Sequence, residues 1–467
     1  MPQFGSGNVA LVEPRIFRRR FENMGDALRG ALPLSPTVTQ DWRLRAGSIV
    51  EVEEDTHGGK TIVSVDGLAK ADRQKIPDFW DDLAYQLDFA HPPLGSLIPL
   101  GQSEWLPARF VHAIAPLCEG HWAAILGPAE SGKTRFGQDV MRAMMWCAYN
   151  NLTLMRDRTT FLSWNVGERH GDTRKKKEAI GTTVGESLGI DPVFGPDLFP
   201  GLSREMFWSL DVINFELTDA FFWARRNRLV ELGRQVVVDM DSVWGWVMAM
   251  AGTLKENGGA SAGKGVSREA LERAKQIMFA SGVTRNGGSL TTICTSPLVS
   301  QKAGQALTAA DIVKQDIVDL AKTGSITLFY DLDKARPYPR VDLTAATGMR
   351  EIDRALSPDD WNLYKEMLRW LDGMPTAMEK LSRLRRMLVE VPVTPVAVRA
   401  YWLKEETVAA KENGKVVQAL EEVAKRASGF LRILHLANKG LRAVFEMFDR
   451  ADIGFGTPAQ VLVALFK

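Results

Sequence analysis

Residues 127–134 of this chain read Gly-Pro-Ala-Glu-Ser-Gly-Lys-Thr, with glycine at the first and sixth positions, lysine at the seventh and a hydroxyl residue at the eighth. The octapeptide follows the apolar run Ala123, Ala124, Ile125, Leu126 and precedes Phe136, Val140, Met144 and Cys147 at helical spacing. That order predicts a buried strand, a tight loop and an amphipathic helix. Such a loop turns its backbone N–H groups onto a phosphate chain, and it needs Gly127 and Gly132 because a Cβ would obstruct the close approach. The expected contacts to a nucleoside triphosphate are Gly127, Pro128, Ala129, Glu130, Ser131, Gly132, Lys133, Thr134 and Arg135. Lys133 reaches the β and γ phosphates, and the Thr134 hydroxyl completes the coordination of Mg²⁺.

The length of 467 residues predicts about two to four domains, each able to bury a core. A hydrophobic content of 45% beside 25% charged residues is that of a soluble globular protein. The net charge of +1 supplies no global field for a polyanion, so any nucleic-acid contact must come from local basic patches. Cys118, Cys147 and Cys294 lie far apart, and the histidines form neither C-x-x-C nor H-E-x-x-H spacings, so no zinc site is expected. The cysteines read as buried thiols of a reducing cytoplasm. The N-terminus carries no apolar signal core and no apolar run is long enough to span a bilayer, so the expectation is a cytoplasmic protein without a membrane partner.

Along the chain, residues 49–65 alternate in polarity around His-Gly-Gly and predict a β-hairpin, with a further strand upstream over 8–17. Arg15, Phe17, Arg18, Arg19, Arg20 and Phe21 interleave cations with aromatics. This is the composition of a surface that stacks bases and neutralises phosphates, and equally that of a solvated basic strand edge. Four prolines over 91–107 mark an ordered linker. Apolar runs at 122–126, 159–166, 235–241, 289–296 and 325–332, separated by helical segments, predict a mostly parallel sheet with helices on both faces. Residues 356–390 and 395–450 are mainly helical in pattern. The expected domains are 1–75, a linker over 76–107, an α/β core over 108–390 and a helical extension over 391–467.

Two strands end in carboxylates, at the edge of an open α/β sheet where ligands bind. The run Val-Val-Val-Asp-Met-Asp-Ser over 236–242 offers Asp241 at the strand exit to hold the hydration shell of Mg²⁺, with Asp239 as the competing choice inside the strand. After 159–166 comes Gly167-Glu168-Arg169, where Glu168 can polarise an attacking water. Further on, Arg336, Tyr338 and Arg350 lie in loop-like sequence. An arginine there completes a neighbouring subunit's site or is a surface residue, and the sequence does not separate the two.

Together these residues resemble the bacterial transcription termination factor Rho family, over about residues 5–390. Arg43-Leu44-Arg45-Ala46-Gly47-Ser48 is similar to the Leu-Arg-x-Gly-Asp stretch of that family's RNA-binding OB domain. Gly288-Ser289-Leu290-Thr291-Thr292-Ile293 and Lys322-Thr323-Gly324-Ser325 are similar to two further family segments. The resemblance implies a small OB-like β-barrel, a RecA-like P-loop ATPase core, ATP and Mg²⁺ as ligands, and single-stranded RNA gripped by a homo-hexameric ring with helicase activity. RNA polymerase is a further candidate partner. By position, Lys133, Glu168, Asp241, Arg350, Arg169 and Arg336 are implied in catalysis, Thr134 and Asp241 at the metal, and Tyr338 against adenine. Arg15, Phe17, Arg19, Lys264, Lys302 and Lys322 are implied in RNA binding, with Lys314 the alternative to Lys302.

The chain also departs from the family pattern. Glu130 stands where the family has lysine, Gly245 where it has arginine, and Arg15 where it has an aromatic. No counterpart of the family's preceding helical subdomain is expected in these residues, about 25 residues are inserted after Gly181, and the sequence beyond about 390 resembles nothing in the family. The departures keep open a protein of impaired turnover that binds RNA or modulates another ring, while the P-loop and Gly-Glu-Arg keep open a rotary or secretion-type ATPase subunit.

Overall fold

The computed structural model describes residues 9–11, 36–44, 47–54, 60–74, 96–128, 130–166, 190–193, 203–209, 212–256, 270, 272–273, 281–284, 287–298, 309–322, 326–329, 338–343, 355–405 and 407. Its main body is an eight-stranded sheet. The strands are β4 (Trp122–Gly127), β5 (Thr159–Val166), β6 (Ile190–Val193), β7 (Ser203–Ser209), β8 (Gln235–Asp241), β9 (Gly282–Val283), β10 (Ser289–Pro297) and β11 (Ile326–Phe329). Their order is β11-β4-β10-β8-β5-β7-β6, with β9 paired antiparallel to β10. All neighbours from β11 to β7 run parallel, and β6 closes the far edge antiparallel to β7. Every residue of β4, β5 and β8 is buried, which is why these strands read as continuous apolar runs rather than alternating ones.

Helices cover both faces of the sheet. On one side lie α3 (Leu106–Ile114), α4 (Lys133–Tyr149), α8 (Pro358–Asp372) and α9 (Ala377–Glu390), whose buried residues pack with Ile125, Phe161, Val237 and Ile293. On the other, α5 (Val212–Glu231), α6 (Val243–Glu256) and α7 (Ala309–Ala321) pack with Leu126, Leu162, Val236, Val238 and Met240. The second layer holds an aromatic cluster of Trp164, Phe215, Phe222, Trp223 and Trp246. Asp219 sits in it and accepts the indole N–H of Trp223 and of Trp246, each at 2.7 Å, and a 3.0 Å bond from Arg273. Burial raises its carboxyl pKa, and Arg273 and the two indoles oppose that shift.

The five expected core strands are present as β4, β5, β8, β10 and β11, the last described as far as Phe329. Strands β6, β7 and β9 were not expected. Strand β6 carries Pro192, which a central strand would reject and an edge tolerates. Helices α8 and α9 fill the stretch expected to be helical, and a further helix covers 395–405. The rest of the expected extension, 408–467, lies outside the described residues, as does the expected boundary near residue 75. Among the described residues no helix is long and apolar enough to cross a membrane.

Upstream, β1 (Val9–Leu11), β2 (Ile49–Glu54) and β3 (Lys60–Val65) form an antiparallel sheet with a bulge between Glu51 and Val52. With it go α1 (Pro36–Asp41) and α2 (Lys70–Arg73), around a core of Leu44, Val50 and Val65. Of the expected OB-like barrel the described residues show this three-stranded sheet, and Arg15, Phe17 and Arg19 lie outside them.

This small unit docks on α5 through charge. Asp66 follows β3 in the left-handed region (φ 54°), with its side chain 1% exposed. It bonds Arg73 of α2 at 2.9 Å and Arg225 of α5 at 2.5 Å. Arg73 also donates to Ser48 Oγ and to the carbonyls of Trp42 and Arg43. Gly47 (φ 83°) presses on the same helix, where a Cβ would stand 2.3 Å from the main chain of Ala224 and Arg225. Glycine is the residue this approach admits.

At the N-terminal end of the sheet His121 is buried and accepts the Cys118 N–H on Nδ1 at 3.0 Å. Burial lowers its pKa to about 4, and that of buried His112 likewise.

Replacing Asp66 with alanine withdraws the carboxylate that two buried guanidiniums share, and should cost about 3–5 kcal/mol in urea unfolding. The histidines set an acid limit. Between pH 6.5 and about 4 the unfolded chain takes up protons that the folded imidazoles refuse. Their contribution is therefore complete above pH 6.5 and is lost on acidification, by about 2 kcal/mol per histidine at pH 5. Calorimetry at pH 7 and pH 5 should show a smaller drop in Tm for His121→Gln than for the wild type.

Candidate nucleotide-binding site

Strand β4 ends at Gly127 and α4 begins at Lys133, so the loop joins a buried strand to a helix N-terminus. Gly132 caps the helix at φ 100°, ψ 13°, and Glu130 is also left-handed at φ 60°. Two residues of that sign within three positions curl the loop so that successive N–H groups turn inward, the concave anion-binding arrangement. Lys133 Nζ donates to the Pro128 carbonyl at 2.6 Å and lies 3.5 Å from Ser131 Oγ. Among the described residues it makes no salt bridge to a carboxylate within 4.0 Å. Burial lowers its pKa to about 8, opposed by the charge of Asp241. A part-buried ammonium held by a carbonyl gains most from an anion, which the phosphate chain of a nucleotide supplies. Thr134 and Arg135 are exposed at the start of α4, and Ala129 lies outside the described residues.

Strand β10 runs between β4 and β8, with Thr295 opposite Ile125 and Cys294 opposite Met240. At its exit the Thr295 hydroxyl donates to Asp241 Oδ1 at 2.5 Å. Asp239, two residues earlier on the same strand face, accepts from Ser163 Oγ at 2.9 Å and lies beneath α4, 3.9 Å from where a Gly137 Cβ would be. Asp241 thus stands at the strand exit and acts on Lys133, while Asp239 is held inside the sheet. Sequence reasoning did not single out Thr295. Its signal was a hydroxyl residue at the C-terminal end of a strand between the two expected to carry the site.

Tyr338 stands beside the loop, with its ring 3.9 Å from where a Gly132 Cβ would be. Its hydroxyl donates to Asp139 Oδ2 at 3.2 Å, and Arg135 lies over the ring at 4.9 Å. Asp139, also unforeseen, is a buried residue of α4 bonded to Arg142 at 3.0 Å.

The structure brings Lys133, Thr134, Asp241 and Tyr338 to one end of the sheet. Glu168, Arg169, Arg336 and Arg350 lie outside the described residues, Glu168 two positions past the end of β5. Lys264 and Lys302 lie outside them too. Lys322 is exposed after α7 and pairs with Asp319 at 3.2 Å. Lys314 pairs with Asp311 at 3.2 Å and lies over the Trp244 ring at 5.6 Å. Among the described residues no group of three or more His, Cys, Asp or Glu is placed to hold a metal ion by itself. A divalent ion here would draw on Thr134, Asp241 and the phosphates, the hard oxygen donors Mg²⁺ prefers.

Gly245 has a structural reason. A Cβ there would stand 2.7 Å from the Val166 carbonyl, so α6 closes on the end of β5 and leaves no room for the arginine that the Rho pattern carries.

No family model matches the chain. It is similar to transcription termination factor Rho of Mycobacterium tuberculosis, 24% identical over 394 residues that cover 80% of this chain and 54% of that protein. Rho of Streptosporangium roseum is 26% identical over 293 residues, covering 62% and 67%. Rho 1 of Ehrlichia chaffeensis is 23% identical over 368 residues, covering 76% and 78%. The chain spans about half the length of the first of these relatives. Among solved structures, the ATP synthase subunit NeqB of Nanoarcheaum equitans aligns with a TM-score of 0.45 at 15% identity, over 64% of this chain and 65% of that one. An ATPase of a type III secretion system aligns with a TM-score of 0.43 at 13% identity, over 62% and 78%.

Gly245→Ala should lower stability by about 1–3 kcal/mol in denaturant unfolding, because the added methyl meets a strand carbonyl rather than a yielding side chain.

Proposed function

We propose that this chain is a Rho-like nucleoside-triphosphate hydrolase that works on single-stranded RNA as a hexameric ring. One observation carries the reading. A part-buried lysine at the head of α4 and a carboxylate positioned by Thr295 share the C-terminal end of a parallel sheet. The similarity to Rho proteins of several bacteria supports the RNA and ring aspects, and with them a role in transcription termination, contact with RNA polymerase and a cytoplasmic setting.

In this reading the loop amides and Lys133 bind the β and γ phosphates. Thr134 and Asp241 hold Mg²⁺, which supplies charge neutralisation at the phosphates when bound. Glu168 orients a water onto the γ phosphorus and accepts its proton as the bridging P–O bond breaks, leaving ADP and inorganic phosphate. Arg350 of a neighbouring subunit stabilises the transferred group, a contribution worth about 10³–10⁵ in rate. Arg169 and Arg336 line the same pocket. RNA passes from Arg15, Phe17 and Arg19 to a pore bearing Lys264, Lys302 and Lys322, and its affinity falls steeply with salt.

A second reading, impaired turnover, draws on Glu130, which places an exposed carboxylate in the left-handed bend of the phosphate loop. ATP hydrolysis measured with and without poly(C) RNA tests both. The leading reading expects RNA-stimulated hydrolysis that Glu168→Gln lowers at least about 100-fold and Lys133→Ala abolishes together with ATP binding. Equal background rates in all three proteins would overturn it in favour of impaired turnover. Brisk hydrolysis indifferent to RNA would favour a rotary or secretion-type subunit.

A further inference from the structure

The Tyr338 ring is fixed from several directions. Its hydroxyl is bound by Asp139 at 3.2 Å, and its carbonyl accepts from Arg385 of α9 at 3.1 Å. One face lies under the Arg135 guanidinium, and one edge faces Gly132 of the phosphate loop. Asp139 is itself braced by Arg142 at 3.0 Å. The hydroxyl's acceptor is a carboxylate, and burial together with that carboxylate raises the phenol's pKa, so it stays protonated and donating.

Asp139 and Lys133 belong to one helix, six residues or about 9 Å apart along its axis. The phosphate cradle and the anchor of the ring are therefore parts of one rigid element. The Arg135 guanidinium carbon lies 4.9 Å from the ring centroid, and because Arg135 is an exposed side chain it can move aside or close over a base that stacks there.

We propose that Asp139 is a positioning residue for the nucleobase of the bound triphosphate: by holding the Tyr338 hydroxyl it sets the ring as a platform beside the phosphate loop. The inference rests on the nucleotide site proposed for this chain. Because the hydroxyl proton is committed to Asp139, the ring donates no hydrogen bond to the base and meets it with its face. Recognition is by stacking area, which favours purines over pyrimidines.

Titration calorimetry of the full chain with ATP and with CTP, both with Mg²⁺, tests it. Asp139→Ala and Tyr338→Phe should each weaken ATP binding roughly five- to tenfold, the worth of one ordinary hydrogen bond. CTP binding should change less than about twofold, the double variant should be no weaker than either single one, and Asp139→Asn, which still accepts from the hydroxyl, should restore ATP binding. Equal losses for ATP and CTP would show damage to the helix instead and overturn the proposal. ATP binding that Lys133→Ala abolishes but Asp139→Ala and Tyr338→Phe leave unchanged would overturn it alone. A wild-type chain that binds neither nucleotide would overturn the site itself.

Discussion

The placement of β10 between β4 and β8 governs the chemistry this sheet can hold. Parallel pairing on both sides fixes three strand exits at one level, so the phosphate loop after β4, the Thr295 hydroxyl and the Asp241 carboxylate meet without any long side chain reaching across. A carboxylate deeper in so apolar a sheet must be hydrogen-bonded internally, as Asp239 is by Ser163. At the exit Asp241 is held by the Thr295 hydroxyl, and its charge acts on Lys133 of the adjoining loop. The opposite end of the sheet is closed by structural bonds. Gln235 alone joins Glu119, Thr153, Met155 and Thr159, and Arg158 ties the carbonyls of Gly233 and Gly287.

The two faces solve different problems. Around α4 the packing is largely aliphatic and methionine-rich, side chains that fill the irregular gaps between helix and sheet. Around α5 and α6 large aromatics leave polar indole edges inside the protein, and Asp219 satisfies two of them at once. Among the described residues the small N-terminal sheet packs around Leu44, Val50 and Val65, with Val38, Trp42 and Ile62 against them. The buried Asp66 with its two arginines, and the bare backbone approach of Gly47, orient it on α5.

Much of this was legible in the sequence because continuous apolar runs are how buried parallel strands must be written. Strands β4, β5, β8 and β10 fall within a residue of their expected bounds. The strand-loop-helix order around residues 127–134 was legible for a related reason, since Gly132 takes a left-handed backbone that glycine adopts without strain. Strands β6 and β7 were not, because Ser-Arg-Glu-Met-Phe-Trp-Ser and a proline-bearing edge carry no apolar run, and their pairing is decided by neighbours distant in sequence. Thr295 and Asp139 were missed for the same reason. A hydroxyl in a strand and a carboxylate in a helix are ordinary alone, and each takes its meaning from a partner 54 or 199 residues away. Gly245 looked like the loss of an arginine, whereas its place is set by the carbonyl it packs against.

Arg385 joins α9 to the Tyr338 main chain, and Arg109 joins α3 to the Leu388 carbonyl one turn further along. Helix α9 is therefore a strut clamped at two points. A shift of α9 along its axis would strain both bonds, so the Tyr338 main chain and α3 take their positions from the same helix.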